Sequence, residues 1–162
     1  MRQFVNEEGK WQTEEFITPP KAAARPAAVA TPTPKTAPVK IDAIPTQWQA
    51  RAAVATIEHC SIDLRLNQRA ERYRVRWFSE SEHNETGRLG YYDPKTDEIG
   101  LYVGLDMTGV VETSAHETYH MACAYGVVDR SNEEMRATAY GQMVTRHSRV
   151  SFVDGSTYLT RR

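Results

Sequence analysis

Hydrophobic residues recur at helical spacing in three segments of the chain. The first runs from Gln47 to Ile57, and Thr46 is placed to cap its start. The second runs from about Thr108 to Tyr125 and contains no proline, and the third runs from about Ser131 to His147. Apolar residues three or four positions apart lie on one side of a helix, so we predict three helices with one buried face each.

Alternation of apolar and polar residues predicts strands between the first and second helices. Tyr73–Phe78 alternates clearly, and Arg88–Tyr92 and Glu98–Val103 read as a hairpin joined by the turn Asp93–Asp97. The polar stretch Ser79–Thr86 is expected to be a loop. The pattern therefore predicts an α+β domain with a short antiparallel sheet.

The chain changes character near residue 45. Seven of the eight prolines lie within residues 19–45, together with many alanines, which predicts a disordered, extended Pro/Ala-rich linker. Residues 1–18 hold aromatic residues among acids and are interpreted as a docking peptide that orders on a protein partner. Residues 46–162 are left as the folded domain.

Composition limits the classes of function. The 162 residues carry a net charge of −1 and a pI near 6.5, which gives no electrostatic footprint for nucleic acid. The mean hydropathy is −0.59, no apolar run reaches the length of a membrane span, and the start lacks a signal-peptide core. We therefore expect a cytoplasmic protein without nucleic-acid or membrane partners.

The second predicted helix contains the most informative pattern, His116-Glu117-Thr118-Tyr119-His120. Two histidines four positions apart lie on the same side of a helix, so both imidazoles can reach one metal ion. The glutamate between them then lies within reach of a metal-activated water. HExxH is typical of zinc peptidases, in which the glutamate is the general base. We therefore expect Zn²⁺ at His116 and His120, with Glu117 as the catalytic residue.

A catalytic zinc usually has three protein ligands and keeps a fourth position for water. The third predicted helix starts after a short loop, and its first turn contains Glu133 and Glu134. Either carboxylate can return to the metal. Alternatively, both are solvated acids favoured by the positive end of the helix dipole, or Glu134 closes a capping box with Ser131.

These two helices resemble the short gluzincin metallopeptidases, and most closely the ImmA/IrrE-type peptidase domain. The likeness covers about residues 88–144 and includes HExxH and the segment Glu134-Met135-Arg136-Ala137-Thr138-Ala139-Tyr140-Gly141. That segment is similar to the family at Glu134, Ala137, Tyr140 and Gly141. It departs from the family at Met135-Arg136 and at Thr138, where an Asp or Asn often supports a metal-binding histidine.

The resemblance implies a small zincin-like domain, with the HExxH helix followed by a glutamate helix. It implies His116, His120 and Glu134 as the metal ligands, although Glu133 follows an asparagine, as the ligand does in other gluzincins. It also implies that the strand before the HExxH helix, Ile99–Val103, forms an open sheet edge with which an extended substrate pairs. An oxyanion partner is still required, and Tyr140 and His147 are weak candidates.

Two functions follow from these expectations. The first is a zinc-dependent peptidase that hydrolyses peptide bonds in a protein substrate. The second is a catalytically inactive zinc-binding module of a phage or mobile-element assembly, virion-associated and docked through its N-terminal arm. The replacement by Thr138 favours the second, because loss of a supporting carboxylate weakens metal affinity or activity by about 10–100-fold. A third class, a SprT-like domain acting on nucleic acid, is opposed by the neutral charge and the absence of a Cys-rich ribbon.

Overall fold

The computed structural model describes residues 42–66, 73–153 and 156–161, together with two short strands near the N-terminus. The chain divides into two units, Met1–Ala37 and Pro38–Arg162. In the first unit, strand β1 (Arg2–Val5) pairs antiparallel with β2 (Trp11–Glu14). The predicted disordered linker lies outside the described residues, except for residues 42–45, and the docking role of residues 1–18 stays a prediction.

The second unit is of the α+β class, as the sequence predicted. Its elements are α1 (Gln47–Asp63), β3 (Arg74–Phe78), α2 (Glu80–Thr86), β4 (Gly90–Asp93), β5 (Glu98–Tyr102), α3 (Met107–Ala124), α4 (Glu133–His147), β6 (Ser148–Val153) and β7 (Ser156–Arg161). Strands β6 and β7 form a hairpin that the sequence did not indicate. None of the helices in these ranges is both long and apolar enough to cross a bilayer.

The three-stranded sheet differs from the expected antiparallel sheet. Its strand order is β3-β5-β4, with β5 parallel to β3 and antiparallel to β4. The prediction that Ile99–Val103 forms the open edge is therefore wrong, because β5 is paired on both sides. The chain between β3 and β5 is long enough for a crossover that brings the two strands together in parallel. Among the described strands, β4 is the edge of this sheet beside the HExxH helix, and none of them pairs with its outer side.

The segment predicted as a loop between β3 and β4 contains the short helix α2. Ser79 Oγ accepts a hydrogen bond from the Glu82 backbone N–H, and Gly87 ends the helix in the left-handed region, at φ 67°. The buried Arg76 guanidinium of β3 binds both Glu82 carboxylate oxygens, at 2.9 and 2.7 Å. This bidentate pair holds α2 against the sheet.

Helix α3 carries the HExxH pattern and is fixed at both ends. At its start, Asp106 Oδ1 accepts a 2.7 Å hydrogen bond from Gly109 N, and Gln49 of α1 donates to the carbonyls of Val103 and Leu105. At its end, the hydroxyls of Tyr125 and Tyr92 both donate to the Asp97 carboxylate. The middle of α3 packs on α1 and the sheet through a core that includes Ala52, Ile57, Ile99, Leu101, Val110, Met121 and Ala122.

Helix α4 lies close against α3 through small side chains. Ala137, Gly141 and Val144 are buried on one face of α4. A Cβ atom at Gly141 would lie 2.7 Å from the Glu112 backbone oxygen, so only glycine permits this approach without a shift. The separation of the two helices determines how near the first turn of α4 comes to the histidines.

Candidate metal centre

The structure brings together the three side chains that the sequence predicted as metal ligands. The Nε2 atoms of His116 and His120 lie 3.0 Å apart. Glu134 Oε1 is 3.3 Å from His116 Nε2, and Glu134 Oε2 is 3.3 Å from His120 Nε2. Both imidazoles are largely buried, whereas the Glu134 side chain is 79% exposed. Two nitrogens and one carboxylate therefore converge on one point at the surface of α3.

These separations fit a tetrahedral zinc ion. Zn–N and Zn–O bonds of about 2.0–2.1 Å at tetrahedral angles hold neighbouring ligand atoms about 3.3–3.4 Å apart. The two carboxylate–imidazole distances match that value, and the distance between the nitrogens is slightly shorter. A cation at the point on which the two Nε2 atoms and the carboxylate converge would be bound by all three groups at once. Nitrogen and oxygen donors in this number are the set found at catalytic zinc.

Glu133 occupies a different position from the one considered for it as a ligand. Its Oε1 lies 2.7 Å from Nδ1 of His120, on the side of the ring away from the three converging donors. In the tautomer whose Nδ1–H donates to this carboxylate, Nε2 is the ring nitrogen that faces the proposed metal position. Its other oxygen is 3.4 Å from Arg130 Nε. Glu133 thus has the position relative to His120 that carboxylates commonly have behind metal-binding histidines.

The alternative capping box does not form. Ser131 directs its hydroxyl and its backbone N–H to the Asp129 carboxylate, and Asn132 begins α4 with φ 53° and no side-chain cap. The Glu134 side chain is consequently not turned back to the Ser131 amide and reaches the histidines instead. Ser131 therefore binds Asp129 of the preceding loop instead of capping the helix. The spacing of Ser131 and Glu134 alone could not reveal this contact.

Glu117, the predicted general base, is buried beside the histidines. The residue is 5% exposed. Burial, and then the nearby Glu134 charge, raise the pKa of Glu117 to about 8, whereas the positive charge of Arg88 acts in the opposite direction. A carboxyl with a pKa near neutrality can both accept and release a proton at neutral pH. Burial also lowers the pKa of His116, which favours the neutral imidazole that a metal requires.

One wall of a cleft of about 440 Å³ is lined by His116, Glu117, His120 and Glu134, and β4 forms the other wall. Gly90 of β4 lies against the base, because a Cβ atom there would be 3.0 Å from Glu117 Oε1 and 2.4 Å from Thr113 Cγ2. Tyr102 N donates to Leu89 O, so Leu89 directs its main-chain groups toward β5. In an antiparallel pair every second residue does so, and the next one in β4 is Tyr91. The main-chain groups of Gly90 and Tyr92 therefore point to the open edge, beside the predicted metal position.

Several other residues considered from sequence lie elsewhere. The Tyr140 hydroxyl donates to Asp63 at 3.1 Å, and His147 Nδ1 lies 2.9 Å from the Met143 carbonyl, so neither lines the cleft. Thr138 is exposed on α4 and supports neither histidine within the described part of the chain.

Sequence reasoning missed two features of the cleft. It did not identify β4 as the edge strand, because strand order depends on contacts between distant residues. It also gave no role to Arg88, although this arginine is the first residue of the predicted strand Arg88–Tyr92. Arg88 and Arg130 are the two cationic side chains among those that line the cleft.

No protein-family model matches the chain, and comparisons with curated proteins and with solved structures find no match either.

Proposed function

We propose that this protein is a zinc-dependent peptidase that hydrolyses peptide bonds in a protein substrate, of the gluzincin kind that its sequence resembles. The observation that carries the proposal is the convergence of His116, His120 and Glu134 at zinc-like separations. Two further features support a catalytic rather than a purely structural metal. A buried carboxyl, Glu117, lies in the same cleft, and the wall of that cleft is an open strand edge.

His116, His120 and Glu134 would hold Zn²⁺, which supplies Lewis acidity toward a carbonyl oxygen and makes water more acidic when bound. Glu117 takes a proton from water and passes it to the leaving amine, a cycle that suits its raised pKa. Gly90 and Tyr92 offer main-chain hydrogen bonds that hold an extended peptide along β4. Burial of Glu117 and of the imidazoles limits access of bulk water to these groups.

The position of Glu133 also bears on the alternative function, an inactive zinc-binding module docked through its N-terminal arm. That hypothesis drew support from the absence of an Asp or Asn at Thr138. Glu133 provides a supporting carboxylate for His120 from another position. The replacement at Thr138 therefore no longer favours loss of activity, and we retain the peptidase as the proposed function.

The test combines metal analysis with cleavage of an unbiased peptide library prepared from a digested proteome. Purified wild-type protein should hold one zinc per chain and should cleave library peptides, as detected by mass spectrometry. Glu117→Gln should retain the zinc and lose cleavage, because it removes the base but no ligand. His116→Ala should lose both.

The outcomes separate the hypotheses. Wild-type protein that neither carries nor takes up zinc would contradict the metal site and the peptidase together. A zinc-loaded protein that cleaves no peptide, with Glu117→Gln indistinguishable from it, would leave the inactive module as the better description. Retention of zinc in a Glu134→Ala variant would overturn the assignment of the third ligand.

A further inference from the structure

Arg88 lies just before the edge strand and lines the same cleft as the proposed base, Glu117. It precedes by two residues Gly90, which packs on Glu117, and its positive charge reaches that carboxyl. Leu89, by contrast, is 50% exposed and is not among the residues that line the cleft.

The backbone of Arg88 is fixed, whereas its charge is not neutralised within the described part of the chain. The Arg88 carbonyl accepts a 2.8 Å hydrogen bond from His83 Nδ1, and its backbone N–H donates to Thr86 Oγ1 at 3.4 Å. No carboxylate oxygen of the described residues lies within 4.0 Å of the guanidinium. Arg130, the other cation of the cleft, is already paired with Glu133.

The other charges of the cleft make this cation, which has no carboxylate partner among the described residues, significant. Away from the metal position, the carboxylates of Glu133 and Glu134 line the cleft and oppose any other negative group. Arg88 lies near enough to Glu117 to act on its charge, but too far to form an ion pair with it. The space beside Arg88 is therefore where, away from the metal position, a carboxylate group of a bound ligand would be attracted rather than repelled. A guanidinium binds a carboxylate through two parallel hydrogen bonds, so the match is geometric as well as electrostatic.

We propose that Arg88 is a specificity-determining residue that binds a carboxylate group of the peptide substrate next to the scissile bond. The inference rests on the proposed peptidase function and adds the chemical class of its preferred substrates. The carboxylate belongs to an aspartate or glutamate side chain, or to the C-terminus of the peptide. The chemistry of recognition is the same in both cases.

The experiment measures binding, so it does not depend on turnover. Zinc-loaded Glu117→Gln protein is titrated with hexapeptides that carry a fluorophore and blocked termini, with a Glu or a Gln at each position in turn. A third series leaves the C-terminal carboxylate free. The same titrations are made with Arg88→Gln, Arg88→Lys and Arg146→Gln added to Glu117→Gln. Arg146 is an exposed arginine in the last turn of α4 and serves as the matched control.

We expect one carboxylate position to bind at least tenfold more tightly than its amide counterpart. Arg88→Gln should abolish that difference, Arg88→Lys should retain part of it, and Arg146→Gln should leave it unchanged. A difference confined to the free-terminus series assigns the site to the C-terminus, and one in the blocked series assigns it to a side chain. Equal binding of acidic and neutral peptides by the Glu117→Gln protein, or a preference that survives Arg88→Gln, would overturn the inference. The cleavage test above is separate, since a peptidase without acidic preference would pass that test and fail this one.

Discussion

At the scale of single residues, two adjacent glutamates occupy different positions around the histidines. Their order along the first turn of α4 places Glu134 opposite both Nε2 atoms and Glu133 opposite Nδ1 of His120. From sequence, either residue could be the ligand, because both are adjacent in a first turn and a capping box was open to Glu134. The distances separate their positions: Glu134 faces the proposed metal position, and Glu133, one residue earlier, is the carboxylate in contact with a histidine from behind, whereas Thr138 is exposed.

We predict that Glu133→Ala lowers zinc affinity by about 10–100-fold, the usual effect of removing a carboxylate behind a metal-binding histidine. Glu133→Gln should have a smaller effect, because its amide oxygen can still accept from Nδ1 of His120. Competition with a chromophoric chelator measures the affinity, and Thr138→Ala is the control that should match wild type. An unchanged affinity in Glu133→Ala would show that this contact does not position the ring.

At the scale of elements, helices were more accessible to sequence reasoning than the sheet. The predicted cap Thr46 and the predicted end of the second helix near Tyr125 agree with α1 and α3, because capping and helical periodicity are local. The order of β3, β5 and β4 depends on which strands meet after the chain turns back, so alternation within each strand could not reveal it. The same limit hid the cleft, whose walls come from α3, α4 and β4.

The close contact between α3 and α4 determines how near Glu134 lies to the two histidines. Gly141→Val would place a branched side chain against the Glu112 carbonyl and push α4 outward. We predict destabilisation of about 1–3 kcal/mol, typical of overpacking, and weaker zinc binding because Glu134 moves with its helix. Urea unfolding and chelator competition measure the two effects. Gln142→Ala, at the exposed neighbouring position, should change stability by less than about 0.5 kcal/mol.

At the scale of the whole molecule, the buried Glu117 carboxyl links folding stability to pH. In the metal-free protein its pKa is raised from 4.5 to about 8, mainly by burial. Between these values the native state holds a proton that the unfolded chain has released. Stability contributed by this group is therefore complete below about pH 4.5 and is lost as the pH rises through about 8. The lowered pKa of His116 acts in the opposite direction, since it favours the native state as the pH rises.

A comparison of wild type with Glu117→Gln isolates the glutamate, because the histidine contribution is common to both proteins. With a chelator present, we predict that the variant gains stability relative to wild type as the pH rises from 5 to 8, by a few kcal/mol in total. Urea midpoints at constant ionic strength give the difference at each pH. A constant difference over this range would mean that Glu117 titrates as in the unfolded chain. Saturating zinc should raise the stability of both proteins, because the three converging ligands exist only in the folded state.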